Sequence, residues 1–255
     1  MEVGKDAKKM LFLLGGYDLE MLTIRKVLEK HGMNYADHQL SWHNARVSSY
    51  RKEIEEASAE GYIILGVELQ EDMVVPSLYK KIDHHNELAH LASSLEQIMN
   101  ILHLPMDRHL QLVAANDKAY IPGMLQLGAT AEEMETIRRA DRKAQGITEE
   151  DEQLAERAIA ENCERSGSLL IVRAFNSRFA PICDRLFPYH RLLIYTDSEW
   201  MYYGEGAVQV YQLFEEDFKS GKVFCGGGEN GYVGTVKNLY SEKELMEMIY
   251  KIKRL

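Results

Sequence analysis

Four short stretches of the chain carry side chains suited to holding a divalent cation: Asp18 and Glu20 in GYDLE, Glu68 behind the apolar run YIILGV, Asp83, His84 and His85 in YKKIDHHNE, and Asp117 in AANDKAYIP. Carboxylates mixed with imidazole match the preferences of Mn²⁺ or Mg²⁺ and differ from the thiolate-rich set of structural zinc. Two such ions side by side can activate a water and clamp a phosphoryl group. In that chemistry the i, i+2 spacing of Asp18 and Glu20 lets one carboxylate face each ion, and Glu68 falls in the bridging role. Each stretch also has a plainer explanation. Acidic residues at a helix start stabilise its dipole, and a histidine pair can be a solvated turn.

The elements around these residues decide whether they meet. MLFLL at 10–14 predicts a buried strand that ends in Gly15 and Gly16, followed by a helix closing at Gly32. MNYADH, a charged helix ending at Gly61, and YIILGV extend the alternation to βαβαβ, which predicts a parallel sheet. In such a sheet the carboxyl ends of the strands line one crevice. The first three stretches are therefore expected on one edge. Apolar residues at 88, 91, 95, 98 and 102 predict a helix over that whole span, and residues 88–165 read as mostly helical. From Ser168 the runs SLLIVRA, RLLIYTD, WMYYG and AVQVY read as short strands, closed by a capped helix from Ser241. The fold class expected is α/β: a parallel-sheet domain flanked by helices over 1–145, a helical linker over 146–165, and a smaller α/β domain over 166–255.

Composition narrows the partners. A chain of 255 residues with 45% hydrophobic and 27% charged residues is ordinary for a globular protein. The formal net charge of −10 disfavours a grip on long duplex nucleic acid, which needs a basic face. No apolar run approaches the length of a membrane span, and the apolar stretch behind the charged N-terminus is too short for a signal peptide, so a cytoplasmic location and no membrane partner are expected. Cys163, Cys183 and Cys225 are few and far apart, and read as reduced packing residues.

The order GYDLE, a strand ending in an acid, IDHHN and then AANDKAYIP resembles the four motifs of the DHH phosphoesterase superfamily, named for its Asp-His-His triplet. VFCGGGENGYVG near the C-terminus resembles the glycine motif of the DHH-associated domain, so the likeness extends over most of the chain. The resemblance implies a phosphodiesterase acting on a phosphate-containing small molecule or short oligonucleotide through two Mn²⁺ or Mg²⁺ ions. It implies Asp18, Glu20, Glu68, His84 and Asp117 as metal ligands, His85 facing substrate phosphate or a metal-bound water, and Asp83 orienting a histidine. Gly226, Gly227, Gly228 and Glu229 would contact substrate, although by their residue types alone they equally suit a tight hairpin. Self-association is left open. Glu20 and Glu68 stand where the family usually has aspartate, Leu14 where some branches have histidine, and Glu229 where the glycine motif has histidine. These departures sustain an alternative, a nucleotide-binding or regulatory module that kept the fold and lost the chemistry.

Overall fold

The computed structural model describes residues 9–227 and 230–255. The chain divides into two compact units at Gly146/Ile147.

In the first unit, β1 (Met10–Leu14), α1 (Leu19–Lys30), β2 (Asn34–Asp37), α2 (Arg51–Ala59), β3 (Ile63–Val67) and β4 (Tyr79–Ile82) form a four-stranded sheet of order β2-β1-β3-β4. Every pairing is parallel, with Leu14 opposite Val67 and Val67 opposite Ile82. The apolar runs of β1 and β3 are buried on both faces, as a parallel sheet covered by helices requires. Three more helices follow: α3 (Ser94–Ile101), α4 (Arg108–Gln126) and α5 (Ala131–Ala144). Where β1 ends, Gly15 lets two chains approach closely: a Cβ there would lie 2.6 Å from the Glu68 carbonyl oxygen. Its N–H bonds to Val67 O at 2.9 Å. The turns leading to Asp18 and to Glu68 are thereby held together.

The second unit contains α6 (Glu149–Asn162), β5 (Cys163–Ser166), β6 (Leu169–Arg173), α7 (Ala180–Leu186), β7 (Arg191–Tyr195), β8 (Trp200–Gly204), α8 (Ala207–Leu213), α9 (Glu215–Lys219), β9 (Val223–Gly226), β10 (Tyr232–Thr235) and α10 (Glu242–Lys253). Its six strands run in the order β5-β6-β7-β8-β10-β9, and only β6 and β7 are parallel neighbours. Strand alternation splits the apolar residues into two cores. Leu193, Trp200 and Tyr202 pack with α8 and α10, while Leu192 and Ile194 pack with α6 and α7.

Several sequence expectations change. The helix expected over 88–102 begins only at Ser94, because Ser93 and Glu96 form a capping box that starts it there. AVQVY is helical: Gly206, at φ +86°, precedes α8, and Ala207, Val210 and Phe214 share one buried face. Residues 146–165 do not stand apart as a linker. Ala155 and Ala158 of α6 are buried in the core of the second unit, and Arg185 pairs with Glu152 and Glu156 at 2.6 and 2.9 Å. All three cysteines are free, but Cys225 is exposed and packs nothing away.

The capping box that opens α5 carries a pH signature. Arg108 binds Glu133 through two nitrogens at 2.9 Å, and this pairing, with the Thr130 cap, pulls the Glu133 carboxyl down to about 2. A carboxyl depressed in the folded state contributes stability above its unfolded value of 4.5, lost as pH falls through the folded value. Acid titration of the thermal midpoint between about 4.5 and 2 is therefore expected to be shallower in Glu133→Gln than in wild type; identical slopes would refute the assignment.

Candidate metal centre

Four segments deliver the site, each from a strand end or helix. Asp18 caps α1, its Oδ1 accepting from Met21 N at 2.9 Å, and Glu20 lies in the first turn of that helix. Glu68 follows β3 with a left-handed backbone, φ +52°, which a non-glycine residue adopts only when its surroundings enforce it. Here its N–H is bonded to Ile82 O at 2.8 Å, aligning the end of β3 with the turn that carries the histidines. His84 follows β4, and Asp117 lies on α4.

The side chains converge. His84 Nε2 is 2.7 Å from Asp117 Oδ2, 3.3 Å from Glu68 Oε1 and 3.7 Å from Glu20 Oε2. Ligand-type atoms of Glu20, Glu68, His84 and Asp117 all lie within 4.8 Å of one another, and a second such group comprises Glu68, His84 and His85. Glu68 and His84 are thus common to both groups. Asp18 is in neither, and one of its carboxylate oxygens is engaged by the cap. It lies beside them all the same: burial, followed by repulsion from Asp117, holds its carboxyl well above the usual range. Asp83 accepts from the backbone N–H of His85 at 2.9 Å and contacts its Nδ1 at 3.0 Å, so the histidine it orients is His85.

Glu20 Oε2, Glu68 Oε2, His84 Nε2 and Asp117 Oδ2 are buried, and none has a partner in hydrogen-bond geometry. Buried polar atoms left so are costly and rare. Four of them on residues whose ligand-type atoms gather within 4.8 Å, three of them carboxylate oxygens, are what a cation site requires, and the donor set of carboxylate and imidazole fits Mn²⁺ or Mg²⁺. Electrostatics agree. Burial and the neighbouring charge of Glu20 push Asp117 up to about 6, and burial raises Glu20 as well. Burial alone would lower His84, but Asp117, Glu20 and Glu68 outweigh it and push the imidazole up to about 12.

The N-terminus of α3 supplies groups that the sequence reading missed. Ser94 Oγ donates to Glu68 Oε1 at 2.6 Å, and Leu95 N donates to Glu20 Oε1 at 3.0 Å. Glu20 is thereby fixed through Oε1 and presents Oε2 to His84, whereas Glu68 uses Oε1 both to accept from Ser94 and to approach His84. The signal was the Ser93-x-x-Glu96 capping pattern inside LASSLEQ, which marks where the helix begins. A cavity of about 760 Å³ opens beside the centre, with His84, Ala89, Glu96, Gln111, Ala115 and Lys118 among its walls.

The glycine run belongs to the second unit. Gly226 ends β9 opposite Tyr232 of β10, and Gly227 has φ +76°, the geometry of the hairpin alternative. Gly228 and Glu229 lie outside the described residues. Among the described residues no helix is long and apolar enough to cross a membrane.

The fold of these two units is that of DHH-domain proteins. The structure of a DHH domain from a member of the S1p family of ribosomal proteins superposes with a TM-score of 0.54 over 98% of this chain and 88% of that one, at 11% identity. Two further solved structures show lower scores. RecJ in complex with Mn²⁺ from Thermus thermophilus has a TM-score of 0.46, 10% identity, and coverage of 97% and 52%. The pGpG-specific phosphodiesterase PggH from Vibrio cholerae has a TM-score of 0.43, 11% identity, and coverage of 97% and 99%. No protein-family model and no curated protein matches the chain.

Proposed function

We propose that this protein is a metal-dependent phosphoesterase that hydrolyses a phosphodiester, in a nucleotide or short oligonucleotide, at the centre formed by Asp18, Glu20, Glu68, His84 and Asp117. The observation that carries the reading is the gathering of ligand-type atoms of Glu20, Glu68, His84 and Asp117 within 4.8 Å of one another, with one buried atom on each residue left without a hydrogen-bond partner. What divalent cations supply there when bound is Lewis acidity and charge compensation for phosphoryl oxygens.

The chain's own residues do the rest. Glu68 and His84, common to both ligand groups, hold the two halves of the centre in register. Ser94 and the Leu95 N–H fix the two longer carboxylates, which compensates for the extra methylene of glutamate. His85 is half-exposed, and Asp83 at its Nδ1 raises its proton affinity. With Nδ1 so held, Nε2 is the atom free to exchange a proton, and we assign it to the leaving-group oxygen. The adjoining cavity falls within the size range of small-ligand pockets. With the acidic net charge, it favours a small substrate over long duplex nucleic acid.

A second reading has one observation in its favour: an imidazolium at His84, held by three carboxylates, can replace a cation and leave a self-satisfied ion cluster in a non-catalytic module. Hydrolysis of bis(p-nitrophenyl) phosphate and of a dinucleotide, with Mn²⁺ or with chelator, separates the two. The enzyme reading expects turnover that requires Mn²⁺ and is lost in Glu68→Gln. Absence of turnover with every divalent cation, while the protein still binds a mononucleotide, supports the module.

A further inference from the structure

We propose that Arg138 is a positioning residue for this centre, clamping the chain on both flanks of Asp117 and tying it to the segment that carries Asp18 and Glu20. The inference rests on the metal-centre reading above.

Arg138 lies on α5 and is 7% exposed. Its Nη1 donates to Asn116 Oδ1 at 2.9 Å and to Asp141 Oδ2 at 2.7 Å. The guanidinium also sits 4.4 Å over the ring of Tyr120. Asn116 immediately precedes Asp117, and Tyr120 follows three residues later at a break in α4, with φ +55° and ψ −148°. A helix broken just behind a ligand leaves that ligand's carboxylate poorly determined by helical hydrogen bonds alone. Arg138 restores the constraint from outside by holding a residue on each side of Asp117.

The same network reaches the other half of the site. Asp141, itself buried, accepts from the backbone N–H of Leu19 at 3.3 Å through Oδ1, and Leu19 stands between Asp18 and Glu20. A continuous path therefore runs from Leu19 through Asp141 and Arg138 to Asn116, linking two ligand segments about a hundred residues apart in sequence. Stability is a weak reason for such an arrangement, since a buried ion pair is often matched by apolar residues of similar volume. Arginine is specific to it. A lysine presents no planar face to stack on Tyr120, and its rotating ammonium lacks the fixed in-plane N–H pair with which Nη1 holds Asn116 and Asp141 together.

The test compares Mn²⁺ affinity, read by electron paramagnetic resonance, with the thermal midpoint of the metal-free protein. Arg138→Lys is expected to weaken Mn²⁺ binding on the order of 10–100-fold, the cost typical of losing a group that orients a ligand, and to broaden the spectrum of the bound ion. Ile54→Val, a truncation in the core beside α2, is expected to lower the midpoint while leaving Mn²⁺ affinity unchanged. Should Arg138→Lys fail to fold, Arg138→Met with Asp141→Leu removes both charges together and is expected to fold yet bind Mn²⁺ as weakly. Wild-type affinity in the folded Arg138 variants, or a loss no larger than in Ile54→Val, would overturn the inference while leaving the metal centre standing. A wild-type protein that takes up no Mn²⁺ would remove the centre and the inference with it.

Discussion

His84→Ala is expected to lose Mn²⁺ uptake and phosphodiester hydrolysis together, and to be less stable than wild type even without metal. Its Nε2 is the point on which Asp117, Glu68 and Glu20 converge, at 2.7, 3.3 and 3.7 Å. Losing a group that merely orients a ligand costs about 10–100-fold in affinity, so losing a ligand in both candidate groups should cost more than about 100-fold. In the metal-free protein the same change leaves three buried carboxylates without their cationic partner. Breaking a buried ion cluster on one side costs about 3–5 kcal/mol. Thermal denaturation in chelator at pH 7 and Mn²⁺ titration measure the two effects separately. A variant as stable as wild type that still binds Mn²⁺ would remove His84 from the centre.

The second large effect is in pH. A group that must release its proton to become a ligand makes binding tighten as pH rises. His84, pushed up to about 12 by its carboxylate neighbours, carries a proton throughout the neutral range and must release it to bind a cation. Asp117, pushed up to about 6 by burial, adds a second proton below that pH. Each proton released steepens the dependence by about tenfold per pH unit. Mn²⁺ affinity is therefore expected to rise about tenfold per unit between pH 6.5 and 8, and more steeply below about 6. Calorimetric titration in buffers of different ionisation enthalpy counts the protons directly. Affinity that is flat across that neutral interval, with no proton release, would mean that His84 does not exchange a proton for the metal.

Much of the first unit was legible because its signals are local. MLFLL and YIILGV are continuous apolar runs ended by glycine or acid, and their alternation with helical patterns implies a parallel sheet whose carboxyl edge collects Asp18, Glu68 and the histidines. What stayed hidden depends on contacts between distant residues. Asp18 commits an oxygen to the α1 cap, which no spacing rule distinguishes from ligation. Ser94 reaches Glu68 only because α3 starts six residues later than its apolar stripe suggests. Arg138 and Asp141, which no sequence motif singles out, are buried and bond to Asn116 of α4 and Leu19 of α1. AVQVY misled for the opposite reason: its β-branched residues favour strand, yet Ala207, Val210 and Phe214 fall on one helical face that the core of the second unit covers.

The most direct test of the metal centre is anomalous diffraction at the manganese edge from a crystal soaked in Mn²⁺. The expected map has its strongest peaks within coordination distance of Glu20, Glu68, His84 and Asp117. A map with no peak there, under conditions in which Mn²⁺ binds elsewhere on the protein, would contradict the assignment.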